Sequence, residues 1–228
     1  MIELGNGERV SGLLQAAHDA RAGYVLAHGA GAGMTHPFLA AVAEGLEERG
    51  IATLRYQFAY MERGSKRPDA PRLAQTAVRA AVAEMARLAP HLPLIAGGKS
   101  FGGRMTSQAQ AASPLPQIRG LAFLGFPLHP PGRPAAERGE HLLGVRVPML
   151  FLQGTRDDLA DPALLGALVE RLGTRATLRL LADADHSFHV PRRSGCTDAQ
   201  ITAELLDALV DWIDTVVRSR RPVQGPRP

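Results

Sequence analysis

The chain has 228 residues, of which 45% are hydrophobic, enough for a globular α/β domain with a substantial core and too apolar for a disordered chain. Its formal net charge of +4 is matched by four arginines after Asp214 (Arg218, Arg220, Arg221 and Arg227), so the remainder is near neutral and no nucleic-acid partner is implied. No apolar run approaches the ~20 residues of a membrane span, Met1–Glu8 lacks the features of a secretory signal, and the single Cys196 leaves no internal disulfide; a cytoplasmic protein with no membrane partner is expected.

Gly5-Asn6-Gly7 between Ile2–Leu4 and Val10–Leu14 reads as a β-hairpin. Tyr24–Ala27 is a short buried strand that runs into His28-Gly29-Ala30-Gly31-Ala32-Gly33. Pro37 opens a helix bearing Phe38, Leu39, Val42 and Leu46, which stops at Gly50. Strand and helix then alternate: strand Ile51–Arg55, helix Leu73–Leu88, strand Leu94–Ala96, helix Phe101–Ala112. Strands Leu121–Leu124 and Met149–Leu152, helix Pro162–Leu172 and strand Thr177–Leu181 follow. A capping box, Thr197-Asp198-Ala199-Gln200, starts the last helix, with Ile201, Leu205, Leu209, Trp212, Ile213, Val216 and Val217 on one face.

That alternation predicts an α/β fold: a mostly parallel sheet with helices on both faces. One domain is expected over residues 1–217, followed by a basic, proline-containing tail, 218–228, expected to be disordered. The longest irregular pieces are 57–71 and 126–147, the second with a short helix near 135–143; neither is long enough for a lid domain.

The richest segment is Leu94-Ile95-Ala96-Gly97-Gly98-Lys99-Ser100-Phe101-Gly102-Gly103-Arg104. It reads as strand, G-x-S-x-G, helix. A serine on such a turn projects its hydroxyl over the end of a sheet, while Gly98 and Gly102 let two backbones pass closely. Serine alone is a poor nucleophile, so an acid and then a histidine must follow in chain order. Asp157, after Met149–Leu152 and Gly154, is the candidate acid, with Asp158 as its alternative. His186, in the loop after the last strand, is the candidate base. His189 is its nearest rival, with His28, His129 and His141 behind it; Asp183 and Asp185 read as turn residues. Backbone N–H groups of Phe101 and of Ala30, or Gly31 in its place, are the candidate oxyanion donors. Arg104 is a candidate to lock the elbow by pairing with an acid.

Gly98-Lys99-Ser100 also imitates a phosphate-binding loop. That motif needs a glycine where Pro93 stands, and Leu94–Ala96 continues a strand where the loop would be. His186, His189 and Cys196 make no convincing metal set.

On His28-Gly29-Ala30-Gly31, Gly98-Lys99-Ser100-Phe101-Gly102, Gly154-Thr155-Arg156-Asp157 and Asp185-His186-Ser187-Phe188, the chain resembles the α/β-hydrolase superfamily from about Gly23 to Val217. Within it, the chain is similar to the small lidless group near dienelactone hydrolases. More closely, Gly97–Met105 and His28–Gly33 resemble the α/β-hydrolase-like domain family that includes a testis-expressed protein and a subunit of a histone acetyltransferase complex. The resemblance implies a three-layer fold without a large lid and a triad on Ser100, Asp157 and His186. The expected function is hydrolysis of small or short-chain acyl esters without a cofactor or metal. Met34, Phe58, Tyr60, Met61, Phe126 and Leu128 are the candidate substrate-binding residues. The alternative is a non-catalytic interaction scaffold on the same fold.

Overall fold

The computed structural model describes residues 1–5 and 7–219. The elements in chain order begin β1 (Ile2–Glu3), β2 (Arg9–Val10), β3 (Gly12–Gln15), β4 (Ala22–Ala27), α1 (Pro37–Glu47), β5 (Ile51–Tyr56), α2 (Ala59–Glu62) and α3 (Pro71–Leu88). They continue β6 (Leu94–Lys99), α4 (Phe101–Ala112), β7 (Ile118–Leu124), a 3-10 segment (Glu137–Gly144), β8 (Met149–Gly154), α5 (Pro162–Leu172), β9 (Ala176–Leu181) and α6 (Asp198–Arg218). β3 to β9 form one sheet in the order β3-β5-β4-β6-β7-β8-β9. Only β3 runs antiparallel to its neighbour.

Strands that alternate between two covered faces explain the near-continuous apolar runs in the sequence. Tyr24, Leu26, Ile95, Ala122, Leu124, Leu150 and Leu152 meet α1 and α6 on one side. Val25, Ala27, Leu54, Ala96, Leu121, Phe123 and Phe151 meet α3, α4 and α5 on the other. Local signals set the helix starts. Asp161 accepts the N–H groups of Ala163 and Leu164, both at 3.0 Å, ahead of α5. Thr197 and Gln200 form the reciprocal capping box of α6.

Two expectations change. The N-terminal hairpin is shorter than predicted: β1 pairs only with β2, and β3 leaves it to extend the main sheet beside β5. The break falls at Ser11, whose N–H is taken by Glu62 Oε1 at 2.6 Å, while β3 spends its hydrogen bonds on β5. The Asn6 of the predicted turn lies outside the described residues. At the other end, α6 continues through Arg218, one residue past the expected boundary, and Arg218 approaches Asp214 at 3.5 Å. Residues 220–228 of the predicted tail lie outside the described residues. Among the described residues, no helix is long and apolar enough to cross a membrane.

The topology locates the crevice. After β4 the chain moves to β5 on one side, then crosses back to β6 on the other. The loops after β4 and β6 therefore diverge at the switch point, where open α/β sheets bind ligands. β6 passes into α4 through Ser100 alone, held at φ 49° and ψ −116°. The turn is this tight because α4 lies against the end of β4: a Cβ on Gly102 would stand 2.6 Å from the His28 carbonyl oxygen, and one on Gly98 2.8 Å from the Ala27 nitrogen. Backbone cannot yield as a side chain tip can. Gly102→Ala is expected to cost about 2 kcal/mol or more, lowering the melting temperature by about 4–8 °C for a domain of this size. An unchanged melting curve would show that the β4 end is free to retreat.

Candidate active site

The three residues with the expected order are brought together at the strand ends. Ser100 Oγ donates to His186 Nε2 at 2.8 Å, and His186 Nδ1 donates to Asp157 Oδ2 at 2.7 Å. A carboxylate can only accept, so it fixes the proton on Nδ1 and leaves Nε2 as the acceptor facing the serine. The Asp157 side chain has no exposure and that of His186 is 21% exposed, which places the carboxylate inside and the imidazole at the rim. Asp158, the alternative acid, points into solvent.

A buried carboxylate needs donors beyond its histidine. Asp157 Oδ1 accepts the Leu159 N–H at 2.8 Å, and Oδ2 accepts Gln153 Nε2 at 2.5 Å. The same Gln153, itself buried, accepts the Phe126 N–H through Oε1 at 2.8 Å. It thereby ties the loop after β7 to the acid after β8. Sequence reasoning missed Gln153; the available signal was an amide ending the otherwise apolar run Met149–Leu152.

The loop holding His186 is shaped by Asp185, whose Oδ1 accepts the N–H groups of Ser187 at 2.7 Å and His189 at 3.0 Å. This is the turn role expected of Asp185, and its product is the position of the neighbouring histidine. Gly125, at φ +70°, lies under the ring: a Cβ there would stand 3.4 Å from His186 Nδ1.

The rival histidines have other partners. His28 is fully buried; its Nε2 accepts the Phe58 N–H at 3.0 Å, so Nδ1 carries the proton and bonds the Gly29 carbonyl at 2.7 Å. Burial pushes its pKa down, which agrees with a neutral ring. It fastens the glycine loop after β4 to the start of α2. His129 does the same elsewhere, accepting the Asp161 N–H at 2.7 Å. His141 meets Ser107 Oγ at 2.8 Å, and burial, with Arg104 nearby, lowers it to about 4. His189 is exposed and pairs with Asp198 at 2.9 Å, which raises its pKa. Arg104 finds no acid: its buried Nε has no partner among the described residues, and the charge that acts on it is the like charge of Arg138. The elbow is held by backbone crowding instead.

The predicted oxyanion donors lie at this place. Phe101 supplies the first N–H of α4, which has no helical acceptor behind it. Ala30 lines the cavity beside Ser100, whereas the alternative Gly31 N–H is taken by the Tyr60 hydroxyl at 3.2 Å. The cavity, about 360 Å³, is also bordered by Ala32, His36, Phe38, Leu39, Leu159 and Ser187. None of the six predicted substrate-binding residues lines it. Phe58, Tyr60, Phe126 and Leu128 are fully buried, with Phe58 supporting the Phe101 ring at 5.3 Å. Met34 and Met61 are half-buried, and the Met34 backbone is tied to Gln57 Oε1 at 2.8 Å. The long loops fold under the site, while the first turn of α1 comes over it. A larger groove of about 750 Å³ between α6 and β9 contains neither serine nor histidine. Among the described residues, no group of three or more His, Cys, Asp or Glu side chains could hold a metal ion.

A serine on a strand-to-helix elbow of a mostly parallel sheet, with histidine and acid on loops after later strands, defines the α/β-hydrolase class. The chain belongs to the Alpha/beta hydrolase domain family, whose pattern it matches over residues 20–214. Among solved structures it is similar to dienelactone hydrolase from Anabaena variabilis, with 20% identity, a TM-score of 0.74 and 94% of each chain covered. It is also similar to an α/β serine hydrolase without a lid from Xanthomonas campestris, with 22% identity, a TM-score of 0.69, and 95% of this chain and 91% of that one covered. A monoacylglycerol lipase from Paleococcus ferrophilus shares 15% identity at a TM-score of 0.70, with 92% of this chain and 99% of that one covered.

Because Gln153 serves two buried groups at once, replacing it strands both. Gln153→Met keeps the volume but leaves the Phe126 N–H unpaired and Asp157 short of a donor. A loss of about 2 kcal/mol in urea unfolding is expected; a variant as stable as the parent would show that water takes over both bonds.

Proposed function

We propose that this protein is a serine hydrolase acting on small acyl esters. The observation that carries this reading is the unbroken hydrogen-bonded chain from Ser100 through His186 to Asp157, at 2.8 and 2.7 Å. Those distances suit general base catalysis. His186 Nε2 takes the hydroxyl proton as Ser100 Oγ attacks the ester carbonyl carbon. Asp157 stabilises the resulting imidazolium and keeps the ring in place. The Phe101 and Ala30 N–H groups receive the negative charge that develops on the carbonyl oxygen. The tetrahedral species collapses, the C–O bond breaks, and the alcohol leaves with the proton from His186. A water molecule then attacks the acyl-enzyme, giving its proton to His186, and the acid departs as Ser100 Oγ recovers a proton.

The cavity supports the substrate class. Ala32, Phe38, Leu39 and Leu159 make an apolar side for the acyl group, and about 360 Å³ has room for a short chain. The dienelactone hydrolase, serine hydrolase and lipase named among the similar structures are in keeping with ester chemistry. The route uses side chains and backbone N–H groups, and a cytoplasmic setting fits it.

Labelling with a fluorophosphonate followed by peptide mapping is expected to find the probe on Ser100. Ser100→Ala is expected to lose about 10³-fold or more in p-nitrophenyl ester turnover while keeping its melting temperature; near-parental turnover overturns the reading. The acid is tested separately. Asp157→Asn is expected to lower turnover by about 10³-fold or more, because the wrong tautomer is then favoured, whereas Asp158→Asn leaves it within about twofold. The reverse order would move the triad acid to Asp158.

A further inference from the structure

Lys99 immediately precedes the candidate nucleophile and is one of two lysines in the chain. Its side chain does not reach out as a phosphate ligand would. It is half-buried and turns towards the loop after β9, where Nζ donates to the backbone carbonyl of His186 at 2.5 Å. Nζ also lies 5.2 Å from the centroid of the Phe188 ring, a cation–π distance. Phe188 sits at φ 63° and stacks on Phe38 at 5.5 Å, so the ring below the ammonium is itself held. Gly125 makes the space: a Cβ at that position would lie 3.0 Å from Nζ. Gly29, from the loop after β4, lies along the lysine stem, where a Cβ would be 3.6 Å from Lys99 Cγ.

The consequence is geometric. Ser100 and His186 sit on loops from β6 and β9, with β7 and β8 between them in the sheet. Asp157 and Ser100 hold the imidazole and Asp185 shapes its turn, and the Lys99 bond adds a tie from the strand of Ser100 to the His186 main chain. The Lys99 bond closes a small ring: Ser100, the Lys99 backbone and side chain, the His186 carbonyl, the imidazole, and back to Ser100 Oγ. We propose that Lys99 is a positioning residue, whose ammonium clamps the His186 carbonyl and so holds the imidazole at the distance the serine needs. The inference rests on the hydrolase reading above.

A charged donor makes a shorter and stronger bond to a carbonyl than a neutral one, so the clamp follows the protonation of Lys99. The charged groups acting on it are Asp157 and Asp185, with His186 itself in contact; Gly29 and Gly125, from the two other loops, add none. Burial lowers the Lys99 ammonium to about 8, although both carboxylates pull it upward. The lysine is therefore charged at neutral pH and loses its proton as pH rises through that value, weakening the clamp.

The test measures the second-order rate of Ser100 phosphonylation by a fluorophosphonate between pH 6 and 10, with melting temperatures alongside. The parent rate is expected to fall above pH ~8. Lys99→Met is expected to react about 10-fold or more slowly at pH 7, as for a misplaced catalytic group, and to lack that alkaline fall. Lys99→Arg, which stays charged across the range, is expected to recover most of the rate and also lack the fall. A Lys99→Met protein with the parent rate and the parent alkaline fall overturns the clamp. If Lys99→Met does not fold, Lys99→Arg decides: a fall that persists near pH 8 overturns the proposal. Ser100→Ala separates the two readings. Labelling that survives in it overturns the hydrolase assignment, whereas labelling lost there but unaltered in Lys99→Met overturns the clamp alone.

Discussion

The close passage of α4 across the end of β4 is the constraint on which the rest of this molecule depends. It leaves room for glycine only at positions 98 and 102, and it compresses the whole β6-to-α4 connection into one residue. That residue, Ser100, is held in backbone geometry that a serine adopts only under compulsion, at a cost of about 1–3 kcal/mol. The surrounding packing supplies the compulsion. Phe101 is braced by Phe58, and Thr106 Oγ1 donates back to the Gly102 carbonyl at 2.9 Å. The strained turn carries the Ser100 hydroxyl at the start of α4, so one steric conflict sets out both the proposed nucleophile and half of the proposed oxyanion cradle.

The opposite wall of the site follows different physics. Asp157 is a carboxylate without solvent, and its burial is tolerable because Gln153, the Leu159 N–H and His186 all donate to it. Removing any one of these exposes a desolvated charge to a missing partner, which is far more damaging than losing a surface ion pair. The donors come from one strand and from two loops that leave strands β8 and β9. Gln153 is the penultimate residue of β8, Leu159 lies two residues beyond the acid, and His186 sits in the turn that Asp185 ties together. The acid therefore acts as the junction through which β7, β8 and β9 are registered against one another at their carboxyl ends.

His28 and His129 are buried connectors, and the tautomer tells them apart from His186. His28 and His129 each accept a main-chain N–H through Nε2 while Nδ1 bonds a neighbouring carbonyl, leaving no lone pair for a proton-transfer partner. His186 alone among them has a carboxylate on Nδ1 and a hydroxyl on Nε2. A loop fastener thus differs from the candidate base in the identity of two hydrogen-bond partners as well as in exposure.

How much of this was legible in the chain depends on the range of each interaction. Helix starts at Pro37, Pro162 and Thr197, the buried strands, the elbow glycines and the order serine, acid, histidine are all written locally, in spacing, capping chemistry and turn residues. Those signals fixed the α/β alternation and pointed to Ser100, Asp157 and His186 together with the Phe101 and Ala30 N–H groups. They misjudged what crosses the fold. The segment Gly12–Gln15 could not reveal that β5 offered a better hydrogen-bonding edge than β1. The aromatic residues of the 57–71 and 126–147 segments look alike whether they floor a cavity or line it, and only packing decided that Phe58, Tyr60, Phe126 and Leu128 go beneath. Gln153 and Lys99 owe their roles to the Phe126 N–H and the His186 carbonyl, 27 and 87 positions away, and Arg104 owes its own to the absence of a partner for Nε among the described residues; a side chain at such separations leaves no periodicity behind. The sequence by itself determined the backbone framework and the chemical inventory, because both are enforced by neighbours within a turn or a strand. The tertiary structure alone decided which buried polar groups meet, because hydrogen bonds in a close-packed interior are selected by distance in space.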